Sequence, residues 1–379
     1  SEGEYVNIQN GYDLLKDIKT NGALKITGGL QATSDPELVF KKFPNIDYLI
    51  MGESEFVLKE FADKIKSGNQ ISDINGSSYI KEKKIIINPK QKIIDSLDKF
   101  SPYNYDIFDD QVFFRPYNGE VVRAVDYELS RGCIYSCSYC VETVIQKYYG
   151  FEESSSKTGA IKNFKSYLRN KSANVIFNEI TYLVKEKNIN FIRCQDTNFL
   201  TNDRKILMEL ANKIKQSDLN FRIYIETRPE GINDLSVELL KDLKVDGVGM
   251  GIELAGEDFR EESLNRFASQ EKTILAFKLL KKNGIKRTSY NVIGFPDQNE
   301  ESILQTIEFN KLLNPDNITV AYYSPYVGTG QQKKGVDTET FSEYEFDADA
   351  ALRSKSRSKE LSTEKLDYYK QNFVKLSRA

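Results

Sequence analysis

Three cysteines stand close together in the run Leu129-Ser130-Arg131-Gly132-Cys133-Ile134-Tyr135-Ser136-Cys137-Ser138-Tyr139-Cys140. The spacing Cys-x3-Cys-x2-Cys puts three thiolates on one loop. That is enough to hold three irons of a 4Fe-4S cluster and to leave the fourth iron open for a non-protein ligand. The competing use is a structural zinc site, which asks for four Cys or His ligands. The chain offers only one further cysteine, Cys194, and no histidine. Cys194 falls inside an apolar strand, where a small buried hydrophobe is the simpler reading.

The missing histidine excludes much else. No Ser-His-Asp triad, His-paired cysteine nucleophile, His-ligated zinc or haem, or His general base can be built from this chain. Any chemistry must use Cys, carboxylates, Lys, Arg, Tyr or a cofactor. The 53 basic and 56 acidic residues leave a net charge of −3, so no overall field attracts nucleic acid. Lysine runs at 81–84 and 278–282 read as solvated faces. No apolar run approaches the ~20 residues of a membrane span, and no signal-peptide pattern is visible. Closely spaced cysteines without a disulfide partner set point to a reducing cytoplasm.

Elements must position that loop. Tyr12–Ile18 reads as a helix, Ala23–Thr27 as a short strand ending in Gly28-Gly29, Pro36–Phe43 as a helix, Ile46–Met51 as a buried strand and Glu55–Ile65 as a helix. Tyr79–Ile87 reads as a hairpin. Residues 88–122 read as a connector ordered by its Phe and Tyr side chains. From residue 123 strands and helices alternate. The strands are Ala124–Leu129, Asn190–Cys194, Phe221–Ile225, Gly247–Ile252, Arg287–Ile293 and Ile318–Tyr322, and the first helix is Val175–Val184 with Ser172 as its cap. This pattern predicts an α/β fold, a partial parallel barrel of six βα units with its chemistry at the C-terminal strand ends. The expected organisation is a partial Rossmann-like domain at 1–70, a hairpin and connector at 71–122, the barrel at 123–330 and a helical extension at 331–379 that ends in a helix over Thr363–Leu376. With Ser1 in place of Met and only two strands in the first unit, an N-terminally truncated domain is expected.

The Cys-x3-Cys-x-Tyr-Cys loop resembles the cluster loop of radical S-adenosylmethionine (SAM) enzymes. Ile26-Thr27-Gly28-Gly29 and Asp47-Tyr48-Leu49-Ile50-Met51-Gly52-Glu53-Ser54-Glu55 resemble the later half of the cobalamin-binding domain of one subclass. The likeness covers residues 20–330. It implies that Cys133, Cys137 and Cys140 bind the cluster, that the open iron takes the amino and carboxylate groups of SAM, and that Tyr139 lies against adenine. At the other strand ends Asp196 can meet the SAM ammonium, with Asn198 beside it. Glu226 and Arg228 follow, Arg228 as a bidentate partner for the methionine carboxylate. Gly251-Ile252-Glu253 matches the Gly-Ile-Glu of the family, and Glu253 can also contact substrate. Ser289 and Asn291 suit ribose hydroxyls, and Gly28 and Gly29 would touch the corrin. Pro325 and Gly328-Thr329 resemble the family's closing turn.

The implied activity is reductive cleavage of SAM to a 5′-deoxyadenosyl radical, serving cobalamin-dependent methylation or cyclisation of an unactivated carbon in a small molecule or natural product. A flavodoxin or ferredoxin would supply the electron. The chain lacks the Asp-x-His-x-x-Gly loop that gives many cobalamin proteins their lower His ligand. The alternatives are a tRNA methylthiotransferase, which would carry further N-terminal cysteines absent from residues 1–132, and a non-catalytic iron–sulfur or metal-binding protein.

Overall fold

The structure, a computed structural model, describes Leu14, Lys16 and residues 18–152, 154–155, 157–337 and 358–379. The helix expected over Tyr12–Ile18 lies largely outside these residues. Two short apolar strands, β1 (Ile26–Gly28) and β2 (Tyr48–Ile50), pair in parallel, with Ile26 opposite Tyr48 and Gly28 opposite Ile50. The helices Leu30–Ser34, Pro36–Lys42 and Glu55–Ser67 flank them. Asp35 caps the second by accepting from Leu38 N at 2.8 Å, with Pro36 at its first position.

The hairpin of β3 (Ser77–Lys81) and β4 (Lys84–Ile87) forms as expected but not in the expected place. It pairs antiparallel with β2 and completes a four-stranded sheet, so it belongs to the N-terminal unit and not to the connector. After it come three short helical turns at Leu97–Lys99, Tyr105–Ile107 and Asp110–Phe113. The connector then enters the main sheet as β5 (Phe114–Tyr117), turning at Asn118-Gly119 into β6 (Glu120–Tyr127). Both turn residues have positive φ, 48° and 85°, which the Asn-Gly pair suits.

A small ladder follows between β7 (Ser130–Arg131) and β8 (Arg169–Asn170). The barrel strands are then β9 (Phe191–Cys194), β10 (Arg222–Thr227), β11 (Val245–Glu253), β12 (Lys286–Ile293) and β13 (Asn317–Tyr322). Their order is β13-β12-β11-β10-β9-β6-β5. All neighbours are parallel except the β5–β6 pair. β5 and β13 are edges, so the sheet curls into an open half-barrel. All six strands predicted from the sequence are present in it.

The outer face of the sheet buries Val125, Ile192, Ile223, Ile225, Val248, Met250 and Ile252 against helix residues such as Ile176, Ile180, Leu183, Leu207, Leu210, Val237, Leu240 and Leu280. Each such side chain contributes roughly 1.5–3 kcal/mol. The helix Ala173–Glu186 is capped by Ser172, whose hydroxyl accepts from Val175 N. The terminal helix Thr363–Leu376 lays Leu366, Tyr369 and Phe373 against Ile293 and Val320 at the β13 edge. On the inner face, a Cβ on Gly249 would stand 2.5 Å from the Tyr290 ring and 2.6 Å from the Tyr224 hydroxyl. The missing side chain is what lets those two tyrosines, on β10 and β12, meet over β11 at 2.7 Å. Among the described residues no helix is long and apolar enough to cross a membrane.

Candidate active site

Strand β6 delivers the chain to the mouth of the half-barrel, where Cys133 and Cys137 are buried and Cys140 is half-buried. The loop starts at Gly132, whose φ of 97° is left-handed. A Cβ there would come within 2.7 Å of the Tyr167 carbonyl oxygen, so both conformation and space require glycine. The loop is pinned along its length. Glu142 accepts from Cys133 N at 3.1 Å and from the Tyr167 hydroxyl at 2.6 Å. Gln146, one turn further along the helix Glu142–Tyr148, donates at 2.9 Å to the carbonyls of both Cys133 and Tyr135. Asn265 donates to the Ser136 carbonyl at 2.8 Å. Ser138 N donates to Leu264 O and its hydroxyl to Ser263 O, and Gln331 N donates to Ser138 O. Segments beyond the fourth and sixth barrel strands therefore hold the middle of the cysteine run.

Burial pushes the Cys133 thiol up to about 12, and burial with the nearby Cys137 drives Cys140 up as well. Cys194 is buried in β9, and its thiol is raised by burial and Asp196, not by the loop cysteines. Thiols raised by burial are poor lone thiolates, and a bound metal favours their ionised form. Iron would supply that charge. Among the described residues no three Cys, His, Asp or Glu side chains converge on a single ion. A cluster does not need such convergence, because each thiolate takes a different iron. The donor set fits a 4Fe-4S cluster held by Cys133, Cys137 and Cys140.

Tyr139 turns inward. Its hydroxyl donates to Glu253 Oε1 at 3.0 Å, and its ring meets Phe295 edge-on at 5.8 Å. Glu253 ends β11 with a φ of 61°, an uncommon conformation for this residue type. The buried Arg266 lies beside both, 3.9 Å from Glu253 and 3.5 Å from the Tyr139 hydroxyl, and also donates to the Gly251 carbonyl. Burial and the Glu253 carboxylate drive the Tyr139 hydroxyl well above its usual value, so it stays a donor. Deeper in the lumen Glu226 accepts from the Tyr290 hydroxyl at 3.2 Å and faces Arg193 at 3.6 Å. Arg228 lies next to the loop, its Nη1 3.8 Å from Cys137 Sγ.

Other expected residues sit elsewhere. Ser289 and Asn291 do not face the cavity. Ser289 donates to Asn310 Oδ1 at 2.6 Å and Asn310 donates to Asn291 Oδ1 at 2.8 Å, so both point to the outer helix Glu300–Leu313. Tyr290, between them, takes the lumen because Gly249 leaves it room. Asp196 is buried and saturated by Leu129 N at 3.0 Å, Asn202 at 3.0 Å and the Ser130 hydroxyl. It braces the strand end ahead of the cysteines and does not present itself to an ammonium group. Burial raises its carboxyl. Asn198 accepts from the Thr227 hydroxyl at 2.7 Å and Arg228 N at 3.3 Å, tying the ends of β9 and β10 together.

The N-terminal sheet meets this loop through its own strand ends. Gly28 and Gly29 are exposed at the end of β1, and nothing lies within 4 Å of a Cβ position on Gly29. Past β2, Glu53 bonds Arg169 in β8 and Glu55 bonds Arg131 in β7 at 2.5 Å. Residue types alone singled out neither arginine, nor Arg266, Glu142 or Gln146. The four-residue spacing of Glu142 and Gln146 behind the last cysteine is the one signal that marks a shared helix face.

Residues 127–309 match the Radical SAM superfamily. The chain is 26% identical over 316 residues to the uncharacterized methyltransferase PH0819 of Pyrococcus horikoshii, covering 83% of this chain and 63% of that protein. It is 24% identical over 308 residues to the anaerobic magnesium-protoporphyrin IX monomethyl ester cyclase of Rubrivivax gelatinosus, covering 79% of this chain and 51% of that protein. It thus spans between half and two thirds of these relatives. Among solved structures, the radical SAM methyltransferase TsrM from Kitasatospora setae, with cobalamin and a 4Fe-4S cluster bound, superposes with a TM-score of 0.66 at 17% identity. That match covers 87% of this chain and 61% of TsrM, and the likeness is one of fold.

Proposed function

We propose that this chain, whose residues 127–309 form a radical SAM domain, holds a 4Fe-4S cluster on Cys133, Cys137 and Cys140 and serves a cobalamin-dependent methyl transfer to an unactivated carbon. The observation that carries the reading is the cysteine loop itself. Its three thiols lie on one pinned loop at the end of the first barrel strand, with Tyr139 turned inward to Glu253 and Arg266. When bound, the cluster supplies the electron that splits SAM into methionine and the 5′-deoxyadenosyl radical, and cobalamin supplies the methyl group.

The chain's own residues bind, orient and seal. Gly132, Glu142 and Gln146 hold the cysteine run in shape. Tyr139, Glu253 and Arg266 present one donor and two charges at the lumen mouth, where SAM's adenosine and amino-acid ends need partners. Glu226, Arg193 and Tyr290 form a polar layer below, facing a small substrate. Gly28-Gly29, with open space above Gly29, offers a flat approach for a corrin. No imidazole in the chain can reach the cobalt. A flavodoxin- or ferredoxin-type protein would deliver the electron in a reducing compartment.

Anaerobic reconstitution with iron and sulfide, followed by dithionite and SAM, should yield 5′-deoxyadenosine. A fully loaded protein that yields none sinks the reading. A second reading, cyclisation, is favoured by the similarity to the magnesium-protoporphyrin ester cyclase. Methyl-labelled SAM separates the two: label reaches the product in a methylation and not in a cyclisation.

A further inference from the structure

Arg228 was expected to clamp the methionine carboxylate, but its guanidinium is already committed. Nε and Nη2 donate to Glu230 Oε1 at 3.0 and 2.5 Å, and Nη2 donates to the Phe267 carbonyl at 3.1 Å. The group lies over the Tyr135 ring, its Cζ 3.8 Å from the centroid. What is left is Nη1, which points at Cys137 Sγ at 3.8 Å. The side chain of Arg228 is 8% exposed and that of Glu230 16%, so little water screens either charge.

We infer that Arg228 is a positioning residue that raises the reduction potential of the cluster by donating to the Cys137 thiolate, and that Glu230 opposes it. The inference rests on the cluster assignment proposed above. One electron from dithionite takes the cluster from its 2+ to its 1+ state. One ferric centre becomes ferrous and no bond to a thiolate is made or broken. The reduced state carries one more negative charge on the cluster and its sulfurs. A buried cation and an N–H donor at a ligating sulfur favour that state, and a buried carboxylate disfavours it. Tyr135 and the Phe267 carbonyl fix the guanidinium plane, so the donor cannot swing away to solvent. Glu230 holds the fork through Oε1 alone, and its Oε2 is buried without a partner. A glutamine at 230 can therefore keep the same bonds to Arg228 while deleting the charge.

The test titrates holoprotein with dithionite in the absence of SAM, following the reduced cluster by electron paramagnetic resonance after iron and sulfide have been counted. Arg228→Met should lower the ratio of reduced to oxidised cluster at a fixed potential at least tenfold, which is about 59 mV for a one-electron couple. Glu230→Gln should raise that ratio several-fold. A merely structural pair would not move the two variants in opposite directions. Unshifted potentials, or shifts of the same sign, overturn the inference. So does an Arg228→Met protein that weakens SAM binding with its potential unchanged, which would restore the carboxylate clamp. If Arg228→Met takes up no cluster, Glu230→Gln decides alone: a rise supports the inference and no rise overturns it. A wild-type chain that assembles no cluster fails at the iron count and removes the proposed function and this inference together. A loaded wild type with unshifted variants removes only this one.

Discussion

Glu53 and Arg169 join the N-terminal sheet to the small β7–β8 ladder: both oxygens of the Glu53 carboxylate lie within 2.9 Å of Arg169 Nη1, across 116 residues of chain. The same guanidinium donates to Ile94 O at 2.8 Å, and Glu53 also accepts from Ile94 N at 3.1 Å. The side chains are 11% and 8% exposed, so removing Arg169 leaves a Glu53 carboxylate with little water and only the more distant Arg131, at 3.6 Å, to face it. Arg169→Met should cost about 3–5 kcal/mol, read as a lower urea midpoint at unchanged slope. Because Arg169 pairs with Arg131 just before the cysteine run, iron retention should fall in the same variant.

The conformation of Gly132 makes a sharper test of the loop. Gly132→Ala meets both a positive φ and the Tyr167 carbonyl, and should lose cluster iron on reconstitution. Gly150→Ala has a similar φ of 83° but nothing within 4 Å, so it should keep the iron and lose only about 1 kcal/mol of stability. Equal iron content in the two variants would show that the close approach does not matter.

Replacing Cys133, Cys137 or Cys140 singly by Ala should abolish the visible absorption of the reconstituted cluster. Cys194→Ala should leave it intact, because Cys194 packs in the core with Ile192 and Ile225. A cluster lost with Cys194 would mean that the fourth thiol is a ligand after all.

Tyr139→Phe keeps the ring against Phe295 and removes the hydroxyl that bonds Glu253. Cluster content should be unchanged, while the dissociation constant for SAM, measured by equilibrium dialysis under anaerobic conditions, should rise several-fold. That corresponds to about 1 kcal/mol, the net worth of a typical hydrogen bond.

The pH dependence of stability has a definite local source at Asp316. Partial burial alone would raise its carboxyl, but the Arg287 side chain and amide, at 2.7–3.0 Å, outweigh that and hold it below the usual carboxylate range. A depressed carboxyl contributes stability above its ordinary value and loses it as pH falls through the folded value. Wild type should therefore lose stability on acidification below about pH 4. Asp316→Asn should remove that portion, about 1 kcal/mol given that Asp316 is 42% exposed. Chemical denaturation at pH 7 and pH 3 checks both the size and the sign.

Much of this was legible from residue order. The six barrel strands were readable because each is a short apolar run bounded by turn residues, and the cysteine loop because its spacing is local. The phase of β12 was not readable. Both faces of a barrel strand are buried, so Ser289 and Asn291 fit either side until Gly249 on the next strand gave the lumen to Tyr290. The sheet that the hairpin joins was equally hidden, since β2 and β3 pair across a whole helix. The arginines at 169 and 266 escaped notice because Glu53 and Tyr139, which they meet, lie more than a hundred residues away in sequence, and a lone arginine has no periodicity.

The attachment of Ser138 bears on the order of events during synthesis. Its backbone is tied to Leu264 and Gln331, more than a hundred residues downstream, so these ties close slowly and only after the last barrel strand has emerged. Iron offered to the nascent chain would meet a cysteine run whose middle, at Ser136 and Ser138, is not yet held. Cofactor insertion therefore belongs after translation, on a finished barrel. A chain truncated before residue 331 should fold its outer helices and still fail to mature.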